Sequence, residues 1–139
     1  MKILTKLTIL IFPFVALFSC DSKYEDCTDE DYRNCNTFQP EMGFFVLQLQ
    51  IDNLNPEVVV RVYEGDFEND LLIHQDTISS TSWDYYLPVE KNYSFTATYN
   101  TVNSSLVAID GGKIDLNSYT MCEYKCYEIN EPLMDLRPD

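Results

Sequence analysis

Four cysteines carry the chemistry that is easiest to state from this sequence: Cys27 and Cys35 near its start, and Cys122 and Cys126 near its end. Four thiols in a chain that leaves the cytosol predict two disulfide bonds. Proximity along the chain favours the local pairs Cys27–Cys35 and Cys122–Cys126. Crossed pairs are the competing arrangement, and they would tie the N-terminal segment that contains Cys27 and Cys35 to the C-terminal part of the chain. A zinc site made of the four thiolates is a third alternative, with an unusual ligand spacing.

The fifth cysteine, Cys20, closes an N-terminal segment that has the features of an export signal. Two lysines precede a 12-residue apolar stretch, which is too short to span a bilayer as a helix. The sequence Leu17-Phe18-Ser19-Cys20 resembles a bacterial lipobox. The resemblance implies that residues 1–19 are a signal peptide, which is cut before Cys20. It also implies that Cys20 carries the lipid that attaches the protein to a membrane.

The rest of the chain lacks the motifs that catalysis and metal binding usually require. His74 is the only histidine, so a two-histidine metal site is excluded, and no serine lies in a GxSxG elbow beside which His74 could act as base. The acidic runs Asp66-Glu68-Asp70 and Asp26-Asp29-Asp31 offer oxygen atoms to Ca²⁺ but lack the glycine and final glutamate of an EF-hand loop. The sequence therefore predicts no enzyme, no cofactor and no metal site.

The charge balance narrows the classes of partner. The chain has 9 basic and 23 acidic residues, a formal net charge of −14. A nucleic-acid-binding surface needs clustered lysine and arginine side chains to displace counterions, so we expect no nucleic-acid partner. Apolar residues make up 45% of the chain and aromatic residues 14%, which is enough for a packed core.

Residues 21–41 hold seven acids and two bases and show no apolar period. This composition predicts a solvated tether, or a loop closed by a disulfide, with neither helix nor strand. An acidic run soon after the lipid cysteine also resembles the export signal of surface lipoproteins in Bacteroidota-type bacteria. The resemblance implies an outer-membrane lipoprotein displayed at the cell surface, and a periplasm-facing position is the alternative. The predicted organisation is a signal peptide (1–19), a lipidated acidic tether (20–41) and a folded domain (42–139).

From residue 43 onward the pattern changes to short strands separated by turns. The clearest alternation, in residues 91–100, places Tyr93, Phe95, Ala97 and Tyr99 inward and the serine and threonines between them outward. The Gly111-Gly112 pair is expected to end the strand that begins at residue 105. The other predicted strands lie in 44–52, 57–65, 71–78, 79–88, 105–110, 127–129 and 133–136. About seven short strands without an amphipathic helix predict an all-β fold, an antiparallel β-sandwich of the immunoglobulin-like or transthyretin-like kind.

One local motif sharpens the prediction of a sandwich. Leu87-Pro88 followed by Tyr93 resembles the tyrosine corner of fibronectin-III-like and transthyretin-like sandwiches. The resemblance implies that the buried Tyr93 hydroxyl bonds the backbone a few residues upstream, and a half-buried strand tyrosine is the alternative. On the preceding strand, Trp83 and Tyr85 are predicted to face the core together with Leu87.

Taken together, the segments VVVRVYEG, LPVEKNYSFTATY, VAIDGGKI and CEYKCYEI, with the lipobox, resemble the small lipoproteins of Bacteroidota-type gut bacteria. The resemblance implies a localisation and a fold but no activity. Asp76-Thr77-Ile78 also fits the short sequon that such bacteria use for O-glycosylation, which would make Thr77 a sugar acceptor.

The role predicted from these features is structural or accessory, with a protein or glycan partner that the sequence does not name and with the membrane contacted through the lipid. Glycan capture by exposed aromatic side chains is the alternative. A hydrolase subunit is a third interpretation. The candidate aromatic residues are Trp83, Tyr85, Tyr86, Tyr119, Tyr124 and Tyr127.

Overall fold

Nine strands and one short helix make up the described part of the computed structural model, which covers residues 27–69 and 71–138. The helix is α1 (Asp29–Asn34), and a single 3-10 turn occupies Phe67–Asn69. The strands are β1 (Met42–Gln48), β2 (Val58–Glu64), β3 (Leu72–Ile78), β4 (Ser82–Pro88), β5 (Asn92–Asn100), β6 (Ser105–Lys113), β7 (Leu116–Met121), β8 (Tyr124–Ile129) and β9 (Leu133–Asp135). The predicted all-β class is confirmed, with about two more strands than expected.

The strands form two packed sheets and a separate hairpin. One sheet has the order β4-β1-β9, the second has the order β3-β2-β5-β6, and β7 pairs only with β8. All pairings are antiparallel except that between β1 and β9. In the immunoglobulin arrangement strands B and E are neighbours in one sheet and strands C, F and G in the other. Here β1 and β4 are neighbours in one sheet and β2, β5 and β6 in the other, which is the same arrangement when β1 is taken as strand B.

The core lies between the inner faces of these two sheets. The ring of Phe45 on β1 lies 4.9 Å from that of Phe95 and 5.5 Å from that of Tyr93, both on β5. The predicted inward residues of β5 are buried as expected. Thr96 faces outward as predicted, yet it is only 4% exposed, because Arg61 and Ile109 flank it on the neighbouring strands of the outer face.

The prediction that Gly111-Gly112 ends the sixth strand is wrong. β6 continues through both glycines to Lys113 and stays paired with β5 along its whole length. A Cβ atom at position 111 would lie 2.8 Å from the carbonyl oxygen of Tyr93. Glycine therefore allows β6 to approach β5 closely at this point.

The prediction that the leader contains no helix is also wrong. Thr28 accepts a hydrogen bond from the backbone N–H of Asp31, and the Asp31 carboxylate accepts one from the N–H of Thr28 at 2.7 Å. This capping box satisfies backbone donors at the start of α1. The same hydrogen bond from the Thr28 backbone is the largest cause that holds the pKa of Asp31 below its usual value.

The local cysteine pairing predicted from sequence proximity is wrong as well. Cys27 is bonded to Cys122 and Cys35 to Cys126, across 95 and 91 residues of sequence. The crossed arrangement therefore ties the leader from Cys27 onward to the β7–β8 hairpin. Sequence proximity gave the wrong pairs because the fold places the β7–β8 hairpin beside the leader. Two thiols can form a bond whatever their separation along the chain.

Candidate functional site

The outer face of the three-stranded sheet is the candidate binding site. Successive side chains of a strand point to opposite faces, so residues that alternate with the buried Phe45 and Leu47 face outward. The partly or fully exposed apolar residues of this face are Met42, Phe44, Val46, Tyr86, Pro88 and Leu133. The exposed fractions of Phe44, Tyr86 and Leu133 are 44%, 56% and 52%, so this is a contiguous apolar surface in contact with solvent.

An aromatic pair forms the centre of this outer face. Phe44 and Tyr86 are directly opposite in the β1–β4 register, with ring centroids 4.8 Å apart and ring planes inclined at 40°. Val46 lies between Leu133 on β9 and Asp84 on β4 in the next row. Such pairs of neighbouring side chains across strands hold the rings in place, so the surface is preformed.

Charged side chains border the same face. Asp84 is exposed at one side, and Asp135 lies on β9 opposite Gln48. Arg137 donates hydrogen bonds from Nε and Nη2 to Asp135 at 2.8 and 2.7 Å, and these bonds lower the pKa of Asp135 to about 2. An apolar centre with a polar rim is the usual anatomy of a protein–protein interface.

Trp83 does not lie in the core, contrary to the prediction. Because side chains alternate along a strand, it points to the same face of β4 as the buried Tyr85 and Leu87, yet it is 45% exposed. β4 is an edge strand of its sheet, and β3 is an edge strand of the other sheet. His74 and Asp76 lie on the face of β3 that points toward the first sheet, yet both are exposed. The edge of the sandwich beside Trp83 is therefore uncovered, and Trp83 lines a shallow depression with Ser82 and Asp84.

The prediction of an inward Tyr85 is confirmed, and its side chain contacts two residues of the opposite edge strand, His74 and Asp76. It is 7% exposed, and its hydroxyl donates a 2.7 Å hydrogen bond to Oδ2 of Asp76. The His74 ring stacks on the Tyr85 ring with centroids 6.0 Å apart. Burial, followed by the bond to Asp76, raises the pKa of Tyr85. The exposed His74 is therefore a packing partner of Tyr85 at the edge of the sandwich.

The structure does not bring the six candidate aromatic residues into one platform. Tyr86 lies on the outer face of the sheet, while Trp83 and Tyr85 have the opposite phase. The other three lie on the β7–β8 hairpin. There Tyr124 packs edge-on against Tyr32 at 5.9 Å, the Lys125 ammonium lies 5.1 Å from the ring centre of Tyr127, and the Tyr119 hydroxyl lies 3.5 Å from the carbonyl of Asn34.

Two members of the candidate site, Phe44 and Leu133, were not singled out from the sequence. The signal for Phe44 was present, because adjacent phenylalanines at 44 and 45 cannot both face the core of a strand. Leu133 carried no such signal. Its position depends on the pairing of β9 with β1, two strands that are far apart in the sequence.

The described residues include only part of the residues named for modification and metal binding. Thr77 is exposed on β3, opposite Val59, between Asp76 and the buried Ile78. Cys20 and two members of the acidic runs, Asp26 and Asp70, lie outside the described residues. Within residues 27–69 and 71–138, no three histidine, cysteine or acidic side chains form a group that could hold a metal ion.

The chain matches no protein-family model, no curated protein and no solved structure. None of the helices in the described part of the chain is long and apolar enough to cross a membrane.

Proposed function

We propose that this protein is a lipid-anchored member of the cell envelope, held on the outer membrane through Cys20 and displayed at the surface, with a periplasm-facing position as the alternative. The lipobox-like sequence and the resemblance to small lipoproteins of Bacteroidota-type bacteria support the proposal. The two disulfides support it too, because such bonds persist in oxidising compartments. The acidic polypeptide is repelled by anionic headgroups, so acyl chains supply the attachment.

We further propose that the β-sandwich has an accessory binding role without catalysis and that its partner is a protein. The observation that carries this proposal is the preformed apolar outer face centred on Phe44 and Tyr86. Exposed apolar patches of this kind mark interaction sites on soluble domains. A nucleic acid is not a partner in this proposal, because the chain has 9 basic against 23 acidic residues.

The anchor is tested by Cys20→Ala, with Ser19→Ala as the matched control that keeps the acceptor thiol. We expect the control to incorporate labelled fatty acid and to fractionate with outer membranes. Cys20→Ala should incorporate none and accumulate as precursor or be released. A Cys20→Ala protein that is membrane-bound at its mature size would contradict the anchor.

The binding face is tested with a photo-crosslinking amino acid placed at Tyr86 or, as control, at Val107. Val107 is 51% exposed on β6 of the other sheet, so it matches Tyr86 in exposure but lies elsewhere. We expect a discrete adduct in intact cells from position 86, lost when Phe44→Ser is added, and none from position 107. Equal adducts from both positions, or none from position 86, would contradict the face.

Glycan capture is the second candidate, and the exposed Trp83 beside Ser82 and Asp84 favours it. Trp83→Ala should remove binding to a polysaccharide panel and leave the thermal midpoint nearly unchanged, because the ring is 45% exposed. Tyr86→Ala is the control and should retain binding. Absence of binding to any panel member by the unaltered protein would exclude this candidate for those glycans.

We also propose that Thr77 carries an O-linked sugar, since its side chain is exposed on β3. Intact-mass measurement of the exported protein should show a glycan that Thr77→Val removes. Thr98→Val, on β5 two strands away in the same sheet, should leave the mass increment in place. An identical increment in both variants would assign the sugar to another residue.

A further inference from the structure

The point at which the leader joins the fold decides how an anchored protein sits on a membrane. Cys27 is bonded to Cys122, and Cys122 and Glu123 form the two-residue turn between β7 and β8, with φ values of 51° and 69°. Positive φ at both central residues is the geometry of a tight hairpin turn. The leader is therefore attached to the tip of the hairpin.

The leader then runs from this tip along β8 as far as the middle of that strand. Cys35 is bonded to Cys126 halfway along β8, and the N–H of Tyr127 donates a 2.8 Å hydrogen bond to the carbonyl of Asn36. We name residues 27–36 with β7 and β8 the stapled hairpin. It joins the sandwich at its base, where the Leu116 N–H donates to Oε1 of Glu90 at 2.7 Å and Ile129 packs beside Gly43.

Trp83 lies toward the opposite end of the sandwich. In the β1–β4 register, Pro88 lies opposite Met42 at the hairpin end, whereas Trp83 lies opposite Leu47. Five residue steps along β4 separate Trp83 from Pro88, about 17 Å at 3.3–3.4 Å per step. The single tryptophan of the chain is thus a natural probe of the end distant from the hairpin.

We propose that the stapled hairpin is the membrane-proximal part of the protein and that its tip lies against the lipid headgroups, with the Trp83 end directed away. This inference rests on the proposed lipid on Cys20. Seven residue steps join Cys20 to Cys27, a reach of at most about 25 Å in any conformation. Without the staples the free reach would be that from Cys20 to Met42, up to about 75 Å.

The stapled hairpin has exposed tyrosines that favour contact with lipid headgroups and acidic residues that oppose it. Tyr32 and Tyr124 are 51% and 53% exposed, and tyrosine is favoured at membrane interfaces because its ring is apolar and its hydroxyl polar. The first turn of α1 is acidic, with Asp29, Glu30 and Asp31, and would be repelled by anionic lipid. Contact with the bilayer therefore depends on the acyl chains.

The test uses the lipidated full-length protein on phosphatidylcholine vesicles that contain a lipid with a nitroxide on its headgroup. Tryptophan quenching is compared between the natural Trp83 and a Trp83→Phe, Tyr124→Trp variant, which moves the probe to the hairpin. We expect severalfold stronger quenching of the probe at position 124. Equal quenching, or stronger quenching of Trp83, overturns the inference.

Two cysteine pairs then test the staple itself in the variant with the probe at position 124. Cys27→Ser with Cys122→Ser frees the tip and should reduce quenching, whereas Cys35→Ser with Cys126→Ser keeps the tip attached and should preserve it. Near-ultraviolet circular dichroism checks the fold of both. Unchanged quenching after loss of the tip bond overturns the inference.

Failure of the anchor gives a different result from failure of the orientation. Protein that does not sediment with vesicles overturns the proposed lipid on Cys20 and the inference with it. Protein that sediments but shows equal quenching at both probe positions overturns the orientation alone.

Discussion

Buried tyrosines show at the scale of single residues how this core accommodates polar atoms. The Tyr93 hydroxyl donates to the carbonyl of Pro88 at 3.2 Å, as the predicted tyrosine corner requires. The Tyr99 hydroxyl donates to the carbonyl of Leu136 at 2.8 Å and accepts from the N–H of Gln50 at 3.1 Å. A buried hydroxyl without such partners would be costly, so each ring position is tied to a specific backbone atom.

Tyr93→Phe is expected to lower the free energy of unfolding by about 1–3 kcal/mol, because it leaves the Pro88 carbonyl without its partner while the ring stays in place. Tyr86→Phe is the control, since that ring is 56% exposed. Urea denaturation of both variants measures the difference. Equal midpoints would show that the corner hydrogen bond contributes nothing to stability.

At the scale of elements, the β5–β6 hairpin depends on close approach at one glycine. A Cβ at Gly111 would meet the backbone oxygen of Tyr93 at 2.8 Å, which cannot move without disturbing β5. The atom nearest to a Cβ at Gly112 would be the terminal methyl of Met134 at 3.1 Å, which is the flexible end of a side chain. The two neighbouring glycines therefore have different importance for the sheet.

Gly111→Ala should destabilise the protein by about 1–3 kcal/mol, the usual cost of inserting a methyl group into a filled site. Gly112→Ala should have a smaller effect, because Met134 can change its side-chain conformation. Chemical denaturation of the pair measures both costs. A larger loss for Gly112→Ala would contradict the register of β6 against β5.

At the scale of the whole molecule, two disulfides join residues 27–35 to the β7–β8 hairpin. Mass mapping of an unreduced proteolytic digest is expected to recover Cys27 linked to Cys122 and Cys35 linked to Cys126. The same digest after reduction is the control and should contain none of the linked peptides. Recovery of Cys27 linked to Cys35 would restore the local pairing and free the leader from the hairpin.

Alkaline pH should destabilise the whole molecule through its core tyrosines. Burial is the main cause that raises the pKa of Tyr85, Tyr93 and Tyr99 above the ordinary value of about 10. Below that pH both states are neutral at these residues. Above it the unfolded chain loses its phenolic protons first, so the free energy of unfolding falls as pH rises.

The measurement is the urea midpoint between pH 8 and about pH 12, compared between the natural protein and Tyr85→Phe. The variant should lose stability less steeply with pH, because one shifted group has been removed. Identical slopes would indicate that Tyr85 ionises equally easily in both states.

Much of the fold could be predicted because strand alternation is a local property. The pattern of residues 91–100 identified β5 and its four buried residues, and Leu87-Pro88 with Tyr93 identified the corner. β7 was missed because LNSYTM is too polar to show a buried face. Its position depends on pairing with β8 and on contact with the leader. Both are contacts with other segments of the chain, so a local sequence pattern does not predict them.

The sequence by itself determined the all-β class, the inner faces of the central strands and the presence of two disulfides, because side-chain period and thiol count are properties of the chain alone. Tertiary structure decided the rest. Trp83 has a core phase but lies at an open edge, and Phe44 joins Tyr86 and Leu133 only through the order β4-β1-β9. The cysteine partners were decided likewise, since a bond forms between thiols that the fold brings within reach, whatever their separation in sequence.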